Sequence, residues 1–280
     1  MVSDDTITIS QAKCSCIIKK FKKGGRAFMK MILRADDLGI SEGVNYGILK
    51  SIQDGMISCV GLMPNMETAQ HGYDLIKDLD ICLGQHTNIC LGKPLCHPAD
   101  IPSLVNEKGE FYSSREINHR QEDTINILEC EKEIEAQLHR FIEITGKKPE
   151  YFEGHAVFSK NYLQALENVA KRHHLFYDNP MDINWQKEHH IYSLDFCAFD
   201  ERGLYDPYAY FESQLDQIRN HECSIVVFHP GYLDQYILTH SSYTLIRPME
   251  CEFLCSQWLK DWLLKNQIQI VDFRNYQEEM

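Results

Sequence analysis

Met31-Ile32-Leu33-Arg34-Ala35-Asp36-Asp37-Leu38-Gly39 is the stretch that decides the fold class. Residues 31–35 read as a short buried strand, residues 36–39 as the loop that leaves it, and Ser41 as the N-cap of a following helix. In that helix Val44, Ile48 and Ile52 recur at helical spacing until Gly55 stops the run. The unit then repeats, with a strand over 58–63, a helix over 67–79 that turns Leu75, Ile76 and Leu79 inward, and a strand over 81–85 ending at His86. Ile125, Leu128, Ile134, Leu138, Phe141 and Ile142 mark a long amphipathic helix, ended by Gly146 and barred from extension by Pro149. A strand over 151–154 runs into His155. A helix over 162–173, short strands over 175–177 and 191–196, and a helix over 208–220 follow. Ser224-Ile225-Val226-Val227-Phe228 is the continuous apolar run of a parallel strand buried on both faces, and it ends at His229. One helix over 250–265 and a strand over 268–273 close the series.

Strands alternating with helices predict βαβ units and a parallel sheet, and their number suits a closed or nearly closed barrel better than an open sheet. No glycine-rich phosphate fingerprint follows the first strand, which removes the main support for a dinucleotide-binding fold. In a barrel of parallel strands the C-terminal strand ends open onto one face, where Asp36, Asp37, His86, His155 and His229 would meet. Two histidines and a carboxylate are the donor set of a hydrolytic divalent metal centre. Each residue also has a plainer reading. Asp36-Asp37 can be a turn that caps the next helix, and a lone strand-end histidine is more often a structural group. Adjacent buried carboxylates repel, however, and want a cation or a proton to share, and three histidines on three separate strand ends are far more specific than one. The remaining histidines sit at helix ends or in loops and read as surface groups.

The 280 residues suit one large domain over 31–280, preceded by a basic extension over 1–30 that carries Lys19, Lys20, Lys22, Lys23 and Arg26 and reads as flexible. Its apolar patch is interrupted by lysines, so it is neither a secretory signal nor a membrane span. A formal charge of −13 argues against nucleic acid and for a neutral or cationic small substrate. Eleven cysteines, an odd count dispersed among apolar segments, read as reduced thiols of a cytoplasmic protein; Cys251 and Cys255 stand one helical turn apart, too few to chelate alone. Residues 91–119, rich in Gly, Pro, Ser and Asn, predict a long irregular loop that either shapes a substrate site or is a floppy insertion.

Ala35-Asp36-Asp37-Leu38-Gly39, Gly84-Gln85-His86-Thr87-Asn88 with Gly92-Lys93-Pro94-Leu95, Glu153-Gly154-His155, His229-Pro230-Gly231-Tyr232 and the late Arg247 resemble, in order and spacing, the YdjC-like (ChbG/HpnK) carbohydrate deacetylases. The resemblance covers about residues 31–273. It implies a distorted (β/α) TIM-like barrel of the NodB-like/YdjC-like kind. It also implies a metal-dependent hydrolase that removes acetyl groups from N-acetylglucosamine units such as those of chitobiose. On that pattern Asp37, His86 and His155 would be metal ligands, Asp36 the base and His229 the general acid. One divalent ion is implied; zinc suits His/His/Asp best, and the resemblance admits magnesium. The implied partner is a small oligosaccharide, and the implied assembly a homodimer. Relatives often carry Asp-x-His-x-His at the third motif, where this chain has Glu153 and Val157. Phe111, Tyr112, Tyr232, Tyr236 and Tyr243 lie near predicted strand ends as candidate sugar platforms, or equally as packing groups of the rim. The rival readings are a catalytically silent carbohydrate- or partner-binding barrel and a metal-dependent phosphoesterase, which would favour two metals.

Overall fold

The computed structural model describes residues 29–194 and 205–279. In chain order its elements are β1 (Met29–Leu38), α1 (Glu42–Gln53), β2 (Cys59–Leu62), α2 (Ala69–Ile76), β3 (Cys82–Thr87), α3 (Ser114–Asn118), α4 (Ile127–Thr145), β4 (Phe152–Gly154), α5 (Lys160–His173), α6 (Ile183–His189), β5 (Ile191–Ser193), α7 (Pro207–Arg219), β6 (Cys223–Phe228), α8 (Gln235–His240), α9 (Ile246–Cys255), α10 (Gln257–Lys265), β7 (Ile268–Ile270) and α11 (Phe273–Glu279). The predicted extension lies outside the described residues except for Met29 and Lys30, which begin β1. Residues 195–196 of the predicted strand over 191–196 lie outside them too.

β1 is the spine. It pairs in parallel with β6 from Lys30↔Cys223 to Ala35↔Phe228, with β2 on its other side, and with β7 at its start. The sheet order is β4-β3-β2-β1-β6-β5, and every pairing is parallel. The expected distorted barrel is thus present as a curled parallel half-barrel with helices packed on it. The segment predicted as a strand over 175–177 contributes a single parallel bridge, Phe152↔Tyr177, beyond β4. β1 runs three residues further than predicted, so Asp36 and Asp37 stand within the strand and not in a loop after it. Its register with β2 shifts between Ala35 and Leu38, an irregularity that re-aims side chains at a strand end.

The helices begin where polar caps satisfy free amides. Ser41 accepts from the Val44 amide, Asn126 from those of Leu128 and Glu129, and Ser159 from that of Tyr162. Gly146 ends α4 at φ 73°, the left-handed conformation glycine adopts without strain. The single helix predicted over 250–265 is two: Ser256 leaves helical backbone at ψ 146° and caps α10 by accepting from the Leu259 amide.

The predicted irregular loop over 91–119 is ordered. Ile101, Leu104, Val105, Phe111 and Ile117 are buried in a second core with Ile134, Leu138 and Tyr162. Buried Glu133 of α4 accepts from the Leu95 and Cys96 amides, tying the loop to the helix.

Candidate metal centre

The C-terminal strand ends converge as predicted. Asp36 and Asp37 come from β1, His86 from β3, Glu153 from β4, His155 from just beyond β4, and His229 from just beyond β6. All six line one cleft of about 380 Å³. Asp37 Oδ1 is 3.3 Å from both His86 Nε2 and His155 Nδ1, and those two nitrogens are 2.8 Å apart. Donors bound ~2.0–2.1 Å from a tetrahedral zinc stand about 3.3 Å from one another, so the trio is spaced to grip one ion. Asp37 Oδ1 is buried and accepts no well-aligned hydrogen bond, whereas Oδ2 accepts from Arg247 Nη2 at 2.7 Å. An orphaned buried carboxylate oxygen facing two ring nitrogens is a site that fits a divalent cation.

A second trio, Asp36, His86 and Glu153, fits less well, because its groups are already engaged. Arg34 Nε and Nη2 each donate to Asp36 at 2.8 Å, occupying both carboxylate oxygens. Glu153 Oε1 closely contacts His86 Nδ1. That contact places a proton on Nδ1, and Nε2 is the nitrogen that faces Asp37. Arg34 is in turn paired with Asp178, from the segment beyond β4, and lies 3.7 Å from Glu153.

Five carboxylates, Asp36, Asp37, Glu153, Asp178 and Glu250, are buried around two guanidiniums, Arg34 and Arg247. The shortfall of positive charge sets the protonation. Burial pushes Asp178 up to about 7 against the pull of Arg34, and Glu250 up to about 8. Burial disfavours charge on His86, yet Glu153 and Asp36 outweigh it and raise its pKa well above the ordinary imidazole value. Asp37 is held well below the carboxylate range, since Arg247, His155 and His86 overcome the effect of burial. The site thus retains protons where a cation would release them. His229 differs: burial lowers it to about 4, so its ring is neutral at pH 7. Its backbone amide donates to Glu250 at 2.5 Å, and its ring meets Tyr243 edge-on.

The backbone is adapted to this crowding. A Cβ on Gly61 of β2 would lie 3.0 Å from His86 Cβ and 3.1 Å from Asp36 Oδ1, so a larger residue there would press on the cluster. Asp37 at φ 75° and Ala156 at φ 50° are left-handed non-glycine residues, one a member of the trio and the other following one. Such strain persists only where the surroundings impose it.

Sequence reading named Asp36, Asp37, His86, His155 and His229 but not Arg34, Asp178 or Glu250, and it gave Glu153 no partner. Arg34 carried a signal, because a charge within an apolar strand, two residues before Asp36 on the same face, needs a buried counterion. Of the proposed aromatic platforms, Tyr243 lines the cleft, Phe111 is buried in the second core, and Tyr112 stacks under Arg120 at 4.4 Å. Cys251 and Cys255 donate to the Gly47 and Lys50 carbonyls, and no third metal donor joins them among the described residues.

Residues 30–265 match the family described as YdjC-like protein. The chain is similar to carbohydrate deacetylase 2 of Listeria innocua serovar 6a, 32% identical over 256 residues that cover 88% of this chain and 98% of the relative. It is equally similar to the carbohydrate deacetylase of Geobacillus stearothermophilus, 32% identical over 251 residues covering 88% and 97%. The crystal structure of a proposed cellobiose-phosphate cleavage protein of Enterococcus faecalis V583 shares the fold, with a TM-score of 0.76 at 22% identity over 89% of this chain and 98% of that one. Among the described residues no helix is long and apolar enough to cross a membrane.

Proposed function

The chain belongs to the YdjC-like family, and from that premise we propose that it is a metal-dependent carbohydrate deacetylase, hydrolysing the N-acetyl group of N-acetylglucosamine-containing oligosaccharides such as chitobiose. The observation that carries the metal dependence is Asp37 Oδ1, buried and unbonded, facing His86 Nε2 and His155 Nδ1. Asp37, His86 and His155 would hold one divalent ion, for which zinc suits the donors best and magnesium is the alternative. When bound, such an ion lowers the pKa of its water toward ~7 and polarises the acetyl carbonyl.

The chain's own groups account for the rest of the reaction. Asp36 receives the proton of the attacking water. Arg34 fixes both of its oxygens, which sets its direction while holding its pKa low against the effect of burial. Arg247 holds Asp37 by Oδ2 and so keeps Oδ1 toward the histidines. Glu153 orients His86, so this departure from the usual aspartate preserves an acceptor behind the ring. His229 delivers a proton to the departing nitrogen; neutral at pH 7, it must first be charged by the water proton that Asp36 has received and passes on.

Acetate release from N,N′-diacetylchitobiose, followed with and without a chelator, tests the reading. Release is expected, abolished by chelation and restored by adding zinc or magnesium. Sugar binding with no release under any metal would establish the silent barrel, the reading favoured by Val157 in place of a second histidine. The phosphoesterase reading lacks a second metal cluster independent of His86 among the described residues.

A further inference from the structure

Phe158 is 62% exposed, three residues after His155, and it lines the cleft that holds the candidate metal centre. The loop that carries it is anchored. Asn118 of α3 donates from Nδ2 to the Ala156 carbonyl and accepts at Oδ1 from the Phe158 amide, each at 3.0 Å, much as a neighbouring strand would. Between these contacts the backbone includes the left-handed Ala156. A phenyl ring left in water on a strained, clamped backbone gains nothing for folding, and such an arrangement marks a surface held ready for a ligand. Met181, 58% exposed, and Pro180 line the same cleft.

The rest of the opening is complementary in kind. Ser114 and Ser242 bring hydroxyls, and among the described lining residues the guanidiniums Arg34 and Arg247 are both paired with carboxylates. The described part of the opening therefore presents apolar faces beside hydroxyl groups, with no spare fixed cation from arginine or lysine among the described lining residues. A pyranose ring matches this, having an apolar C–H face and a rim of hydroxyls. A ring with few rotatable bonds covers such a face at low entropic cost.

We infer that Phe158, flanked by Met181 and Pro180, is the stacking platform for the sugar unit next to the one that presents its acetyl group to the metal centre. The substrate class is then an uncharged oligosaccharide of at least two units. The inference rests on the deacetylase reading above and adds to it the residue that reads chain length.

The test compares wild type, Phe158→Ala and Phe158→Tyr on N,N′-diacetylchitobiose and on N-acetylglucosamine, with bound metal measured for each. Phe158→Ala is expected to lose about tenfold more kcat/KM on the disaccharide than on the monosaccharide, chiefly through KM, with metal content intact, and Phe158→Tyr to restore the difference. Equal losses on both sugars, a loss that follows bound metal, or no recovery with tyrosine would overturn the platform. Should wild type release no acetate at all, the deacetylase reading fails by itself, and calorimetric binding of the disaccharide decides the platform separately. Binding about tenfold weaker in Phe158→Ala supports it; equal binding, or none to wild type, removes it.

Discussion

The two ends of the same parallel strands are built by opposite rules. At their starts, Cys59 on β2, Cys82 on β3 and Cys223 on β6 are free thiols buried with Ile32, Ile225 and Tyr151. Burial pushes the Cys223 thiol up to about 12, and contact with Cys59 together with burial raises that of Cys82, so both act as small neutral packing groups. Around their ends gather five buried carboxylates, two arginines and three histidines, and the Asp37 and Asp178 carboxylates each keep one oxygen without a hydrogen-bond partner. The floor is held by the packing of neutral groups. The rim is satisfied only if something positive is added to it.

The sharpest way to break this contrast is to remove the capacity to bind that charge. His86→Ala and His155→Ala are each expected to lose bound metal, measured by emission spectrometry, and to drop acetate release below about a thousandth of wild type. Asp36→Asn should cost about 10²–10⁴ in turnover while metal stays bound, because Arg34 holds both its oxygens and it approaches His86 only on the Nδ1 side, away from Asp37. Equal metal loss in all three variants would show that the two aspartates do not divide the work. Glu153→Gln keeps the shape but weakens the charge behind His86, and should reduce metal affinity about 10–100-fold in a chelator competition; unchanged affinity would mean that His86 is oriented by something else. On the floor, Cys223→Ala should lower unfolding free energy by about 1–2 kcal/mol, read from the denaturant midpoint, and leave acetate release per folded molecule as it was. A comparable loss of turnover there would show the two ends to be coupled.

Legibility in the sequence follows the same division. β1 and β6 announce themselves as apolar runs, and the residues that leave them are chemical, so the meeting of Asp36, Asp37, His86, His155 and His229 could be anticipated from strand ends alone. Local rules also marked Ser41 as a cap and Gly146 as a stop. What escaped is tertiary. The order of residues 91–119 depends on a Glu133 carboxylate reached only through the fold, and Asp178 meets Arg34 across 144 positions. The break at Ser256 falls inside an uninterrupted helical pattern, since serine competes for helix amides without disturbing hydrophobic spacing. Phe158 was invisible for the converse reason: an apolar residue reads as core until its exposure is seen.

The left-handed turn of the chain at Asp37 binds heredity to geometry. At φ 75° side chains other than glycine, asparagine and aspartate are costly, and β-branched ones most of all. A descendant lineage that abandoned the reaction would be free to discard His86 or His155, but at position 37 asparagine and glycine would be the cheapest replacements. The backbone would go on recording there the carboxylate it once held.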